Sequence, residues 1–134
     1  MKEKLVHVSG RKKTCVARAT LKSGKGVVRI NSRLLDTYDD GLMKDRIMEP
    51  LVMAGDLANK VNIYVNVKGG GWSAQTEATR LAIARALVEY SQSKQLKKTF
   101  LDYDRNMLVA DVRQAESSKP NDSKPRKKRQ KSYR

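Results

Sequence analysis

The chain has 134 residues, with 29 Lys plus Arg against 14 Asp plus Glu and a formal net charge of +15, so its length suits one domain and its charge calls for an anionic partner. Cys15 is the only cysteine, which excludes an internal disulfide and a cysteine-based zinc cluster and fits a reducing compartment. The opening MKEKLVHV has no signal-peptide core, and the longest apolar runs, such as Leu81 to Ala84, span one helical turn where a membrane span needs about twenty residues, so a soluble intracellular protein is expected.

Leu5 to Val8 reads as a short strand ending at a Ser9-Gly10 turn. Thr14 to Leu21 alternates, with Cys15, Ala17, Ala19 and Leu21 on one side and Thr14, Arg18 and Thr20 on the other, as in a half-buried strand. A glycine-containing turn over Lys22 to Gly26 leads to a third strand, Val27 to Asn31. The three strands predict an antiparallel meander. Ser32 is placed to cap a short helix through Leu34 and Leu35. Leu42, Met43, Ile47, Leu51 and Val52 recur at near-helical spacing. Pro50 predicts a kink or a second helical start, and Gly55 a stop.

Val61 to Lys68 alternates cleanly: Val61, Ile63, Val65 and Val67 face one way, and Asn62, Tyr64, Asn66 and Lys68 the other. Gly69-Gly70-Gly71 ends it. A long helix is expected from about Ser73, its cap, to Tyr90, with Glu77 in its positive early turns. Ala74, Ala78, Leu81, Ala84 and Val88 form one stripe, and Ile83 and Leu87 lie nearly opposite, so this helix needs two neighbours. Lys94 to Leu101 suits another short helix. The pattern predicts an α+β fold, a mixed four-stranded sheet with helices on one face. Residues 1–118 form the globular domain and residues 119–134 a tail.

That tail reads KPNDSKPRKKRQKSYR, with eight cations and one acid, and so holds +7 of the total +15 and leaves +8 on the body. It has two prolines and no aliphatic residue, so it cannot bury enough apolar surface to offset its ordering entropy. A densely anionic polymer suits it, and nucleic acid is the first candidate because Lys and Arg on phosphates release condensed counterions.

Gly10-Arg11-Lys12-Lys13-Thr14, continuing to Arg18, places four cations close together without an acid. It is read as a phosphate-binding turn rather than a solvated one. Gly69-Gly70-Gly71 before a helix start can expose backbone N–H groups to phosphate, or can simply be a tight strand-to-helix turn. It lacks the lysine and spacing of a P-loop. Trp72 is read as a core plug, with base stacking the alternative. His7, in a strand, is read as structural. Asp39-Asp40, Asp102 and Asp104 have no metal-fixing spacing and suit internal ion pairs. Asp104-Arg105 and Arg113 extend the basic track toward the tail. Nothing predicts a cofactor, a metal or a catalytic set.

Together SGRKKTCVARATLKSGKGVVRIN, VNVKGGGWSAQTEATRLAIARALVEY and the basic end FLDYDRNMLVADVRQAESSKPNDSKPRKKRQKSYR resemble the universal small-subunit ribosomal protein S-nine family. The Lys-Ser-Tyr-Arg end resembles the archaeal and eukaryotic branch, and Ala74 stands where many bacterial members carry glycine. The resemblance implies a fold similar to the second domain of ribosomal protein S-five. It also implies a non-catalytic, cytoplasmic role in the head of the small ribosomal subunit, among neighbouring ribosomal proteins and bound to small-subunit rRNA. Expected rRNA ligands are Arg11, Lys12, Lys13, Arg18, Gly69, Gly70, Gly71, Arg80, Arg105, Arg113, Lys124, Arg126, Lys127, Lys128 and Arg129. The end of the tail, Lys131, Ser132, Tyr133 and Arg134, is implied to approach the anticodon stem-loop of peptidyl-site tRNA. Two other readings stand beside this one: an RNA-processing enzyme using the glycine loop, and a basic module for acidic membranes or a protein partner.

Overall fold

The computed structural model describes residues 4–38 and 41–133. Five strands form one mixed sheet: β1 (Val6–Lys12), β2 (Cys15–Ser23), β3 (Val28–Ile30), β4 (Arg33–Leu34) and β5 (Val61–Lys68), in the order β1-β2-β5-β3-β4. Only β3 and β5 run parallel. The helices are α1 (Gly41–Ala54), α2 (Asp56–Asn59), α3 (Trp72–Ser91) and α4 (Lys94–Tyr103), with 3-10 turns at Leu35–Thr37 and Arg105–Met107. Thus the fold is α+β as expected, but the sheet has five strands rather than four.

The period-two patterns set the layers. Cys15, Ala17, Ala19 and Leu21 of β2 and Val61, Ile63, Val65 and Val67 of β5 are all buried, whereas the alternate residues are partly or fully exposed. α3 lies across this apolar face, packing on β1, β2 and β5, while α1 packs on α3 from outside. Helix α3 is therefore buried on two sides, as its two stripes predicted: Ala78, Leu81, Ala82, Ile83, Ala84 and Leu87 are all buried.

Gly10 is not a turn residue. β1 runs through it, and an added Cβ would lie 2.5 Å from the Ala78 carbonyl oxygen and 2.9 Å from the Ala82 nitrogen. The glycine lets the strand and the helix backbone meet, which a turn signal in sequence cannot distinguish. The expected antiparallel meander also fails, because β5 inserts between β2 and β3. Residues 24–27 step around the start of β5: Gly24 and Gly26 donate to the Lys60 and Val61 carbonyls, and Lys25 and Val27 to Asn62 Oδ1. The strand with the cleanest alternation thereby takes the centre.

Ser32 caps no helix. Asn31 and Ser32 both have positive φ, 48° and 70°, between the paired residues Ile30 and Arg33, which makes a two-residue hairpin turn. The Asn31 side chain then extends the sheet, donating to the Val67 carbonyl and accepting from the Val67 N–H. Pro50 neither ends nor restarts a helix: α1 continues through it, with Pro50 buried. Gly55, at φ 54°, does stop α1. Helix α3 starts at Trp72 with Gly71 as its cap, not at Ser73, and Trp72 is 61% exposed rather than a core plug. His7 Nδ1 and Thr20 Oγ1 are 2.9 Å apart, a pairing across β1 and β2.

Candidate nucleic-acid interface

β1 and β2 join through Lys13-Thr14, between the paired residues Lys12 and Cys15, with Lys13 at φ 52°. This puts Arg11 and Lys13 on an exposed tip. β5 is antiparallel to β2, so Lys68 lies beside Val16 and the glycine loop emerges next to that tip. An added Cβ on Gly69 would lie 2.9 Å from the Thr14 carbonyl oxygen, and one on Gly70 3.0 Å from Cys15 Cβ. Both residues have positive φ, 80° and 68°. Glycine is thus required at these two positions by conformation and space. Gly71 meets neither demand. The loop leads straight into α3, whose first N–H groups lack intrahelical acceptors and receive no side-chain cap.

The start of the C-terminal segment reaches the same place. Asp111 bridges to Lys12 alongside β1. Lys12 Nζ lies 2.5 Å from Asp111 Oδ2, and Arg113 forks onto the same carboxylate at 2.7–3.1 Å. The Arg113 and then the Lys12 hydrogen bonds hold the Asp111 carboxyl far below the usual carboxylate range. Cationic turn, glycine loop and root of the tail therefore converge at one end of the sheet, although they are far apart in sequence. Arg85, which sequence reasoning passed over, helps fix that arrangement: it donates to the Leu108 and Ser9 carbonyls, both at 2.9 Å, tying α3 to β1 and to the run-up to the tail. Nothing in its spacing marks it. Lys68 was also passed over, though it directly precedes the glycine run.

The remaining expected ligands divide. Arg18 is exposed on the open face of the sheet, and Arg105 is exposed in the 3-10 turn packed on α3, apart from the convergence. Arg80 is a correction. It is 2% exposed, and its guanidinium is held by Glu49 at 2.5 Å and Asp104 at 2.8 Å, with Glu77 at 3.8 Å. Burial opposes its charge, but the Asp104 and Glu49 interactions prevail and raise its pKa. Asp104 is lowered: burial works against its charge, but the Arg80 hydrogen bond, the Asn106 N–H and the Arg80 and Arg46 charges together outweigh it. Arg80 joins α1, α3 and the segment after α4, and offers no group to phosphate. Asp104 thus serves an internal ion pair as expected, while Asp39 and Asp40 lie outside the described residues. Among the described residues no group of three or more His, Cys, Asp or Glu is placed to hold a metal, and no helix is long and apolar enough to cross a membrane.

Residues 112–133 form no helix or strand. Lys124, Lys127, Lys128, Lys131, Ser132 and Tyr133 are exposed. Arg126 forks onto Glu116 at 2.7 Å, lowering the Glu116 pKa, and Arg129 meets Asp122 at 2.9 Å. Exposed pairs of this kind are screened by water and contribute little to stability. Arg134 lies outside the described residues.

A cationic strand turn, a glycine loop at a helix start and a basic terminal segment on an α+β body characterise a class of small basic modules whose charge is laid out for a polyanion. Comparison with known proteins narrows the class. The family model for ribosomal protein S9/S16 matches residues 10–134. The small ribosomal subunit protein uS9 of Methanococcus maripaludis is 44% identical over 133 residues, covering 98% of this chain and 99% of its own length. That of Methanococcus vannielii is 42% identical over the same span. The chain belongs to the small-subunit ribosomal protein S9 family, and these relatives fit the archaeal branch implied by its Lys-Ser-Tyr-Arg end.

Proposed function

We propose that this chain is a structural constituent of the small ribosomal subunit. It binds rRNA of the subunit head, among neighbouring ribosomal proteins in the cytoplasmic ribosome, and sends its C-terminus toward the anticodon stem-loop of peptidyl-site tRNA. The observation that carries this reading is the convergence of Arg11, Lys13, the glycine loop and the Asp111–Arg113 tail root at one end of the sheet. One RNA segment can meet the turn cations and the uncapped helix start and then be followed by the tail. The parallel step from β3 to β5 and the helix laid across the sheet support a likeness to the second domain of ribosomal protein S-five.

The body is residues 1–118 and the tail residues 119–134. Fully extended, sixteen residues reach about 50 Å at roughly 3.1–3.3 Å each. A body on the surface of the particle can therefore touch an interior site. Lys124, Arg126, Lys127, Lys128 and Arg129 lie along rRNA, and Lys131, Ser132, Tyr133 and Arg134 approach the tRNA. Arginine forks onto phosphate, lysine acts as a point charge, and Tyr133 offers a ring or a hydroxyl. Small subunits carrying a chain truncated after Gln130 should assemble normally and bind peptidyl-site tRNA more weakly. Unchanged tRNA affinity in such particles would remove the tRNA part of the reading.

A further inference from the structure

Acidic residues are kept out of the strands of this molecule. The five strands carry seven cations, Arg11, Lys12, Arg18, Lys22, Arg29, Arg33 and Lys68, and not one Asp or Glu. The acids of the regular elements sit in the helices and the Leu35–Thr37 turn. Alternation sends five of the seven, Arg11, Arg18, Lys22, Arg29 and Lys68, to the sheet face away from α3. Arg18, Lys22, Arg29 and Lys68 form no ion pair with any described carboxylate.

An aromatic ring stands at the middle of that face. Tyr64 is on the central strand, paired with Thr20 of β2 on one side and Arg29 of β3 on the other. Its neighbour Asn66 pairs with Arg18. A depression of about 460 Å³ opens here, lined by Arg18, Thr20, Arg29, Asn31, Tyr64 and Asn66. Lys22 Nζ lies 5.3 Å from the Tyr64 ring centre, so the ring already holds a cation. Such an exposed contact is worth about 0.5–1 kcal/mol, little enough to exchange for a stacked base.

We infer that the open face of the sheet is a second RNA-binding surface, which takes a single-stranded segment with a base stacked on Tyr64 and phosphates on Arg18 and Arg29. Stacking needs an unpaired base face, which a duplex does not present. The side chains of Thr20, Asn31 and Asn66 supply donors and acceptors for a base edge or a 2′-hydroxyl. The absence of any strand carboxylate argues for a polyanion over a protein partner, whose surface would carry both signs. This inference rests on the RNA-binding reading above but uses a different surface from the turn, loop and tail.

The test uses the full chain with a fluorescent 12-nucleotide oligouridylate and, separately, a 12-base-pair RNA duplex. Tyr64→Leu should lose about five- to 150-fold in affinity for the single strand and within twofold for the duplex. The double variant Arg18→Gln, Arg29→Gln should reduce the salt slope for the single strand by about 1.4. Ultraviolet crosslinking to 4-thiouridine-substituted strand should mark the peptide containing Tyr64. Crosslinks confined to the turn and tail, or Tyr64→Leu binding the single strand like the unaltered chain, would overturn the sheet surface and leave the turn and tail intact. If the unaltered chain binds neither RNA at low salt, the parent reading fails first. All three substituted residues lie on the solvent side, and thermal melts matching the unaltered chain show that folding is not the cause of any loss.

Discussion

Arg80 and Arg18 are the same residue type in opposite situations. Arg80 sits among helices, inside a ring of Glu49, Glu77 and Asp104, and is 2% exposed. Arg18 stands on a strand, exposed, with no described carboxylate partner. The difference lies in where the acids are: the helical layer contains them and the sheet does not. Arg80 closes an internal circuit, while Arg18 is available to an outside anion. Net charge alone therefore misassigns residues, and counting local acids in three dimensions corrects it.

The sharpest way to break that contrast is to remove Arg80. Arg80→Met leaves Glu49, Glu77 and Asp104 facing an uncharged side chain at a half-buried site and should cost about 2–4 kcal/mol of stability, read from urea unfolding. The salt slope of RNA binding by the folded fraction should not move. A stable Arg80→Met protein with weakened RNA binding would invert the assignment. Truncation after Ser123 should do the reverse. It deletes seven cations, so the salt slope for single-stranded RNA should fall by up to about 5, while the unfolding midpoint of the body stays put.

Gly10→Ala tests the seam between the two layers. Its Cβ has no room against the α3 backbone, so a loss of about 1–3 kcal/mol is expected, again without a change in salt slope. A smaller effect concerns pH. The Asp104 carboxyl titrates below its unfolded value, so its contribution is complete above about pH 4 and is lost as pH falls through the depressed folded value. Asp104→Asn should therefore be less stable at neutral pH and lose less on going from pH 5 to pH 3, as followed by unfolding midpoints. The smallest effect belongs to the exposed pair: Glu116→Gln should leave the unfolding midpoint unchanged and leave Arg126 free for phosphate.

The strands that alternate were legible. β2 and β5 bury the residues their period assigned, because a pleated strand offers only two faces and apolar side chains choose one. α3 was legible for a related reason: apolar residues on two sides of a long helix require two neighbours. Turn signals misled where glycine served space rather than direction, as at Gly10, or where a positive-φ pair made a hairpin, as at Asn31-Ser32. Strand order was not legible either, since local alternation says which face is buried and nothing about which strand lies beside which.

By itself, the chain of residues determined that this is a small basic α+β body with a cationic terminus, and its motifs placed it in its family. The body and the terminus follow from local composition, period and spacing, and the family from the likeness of those motifs to known members. Tertiary structure alone decided that the turn, the glycine loop and the tail root meet at one end, that Arg80 is enclosed, and that Arg18, Arg29 and Tyr64 share an open face. Those facts depend on β5 entering between β2 and β3, a choice made by burial of the whole core and invisible to any window of sequence.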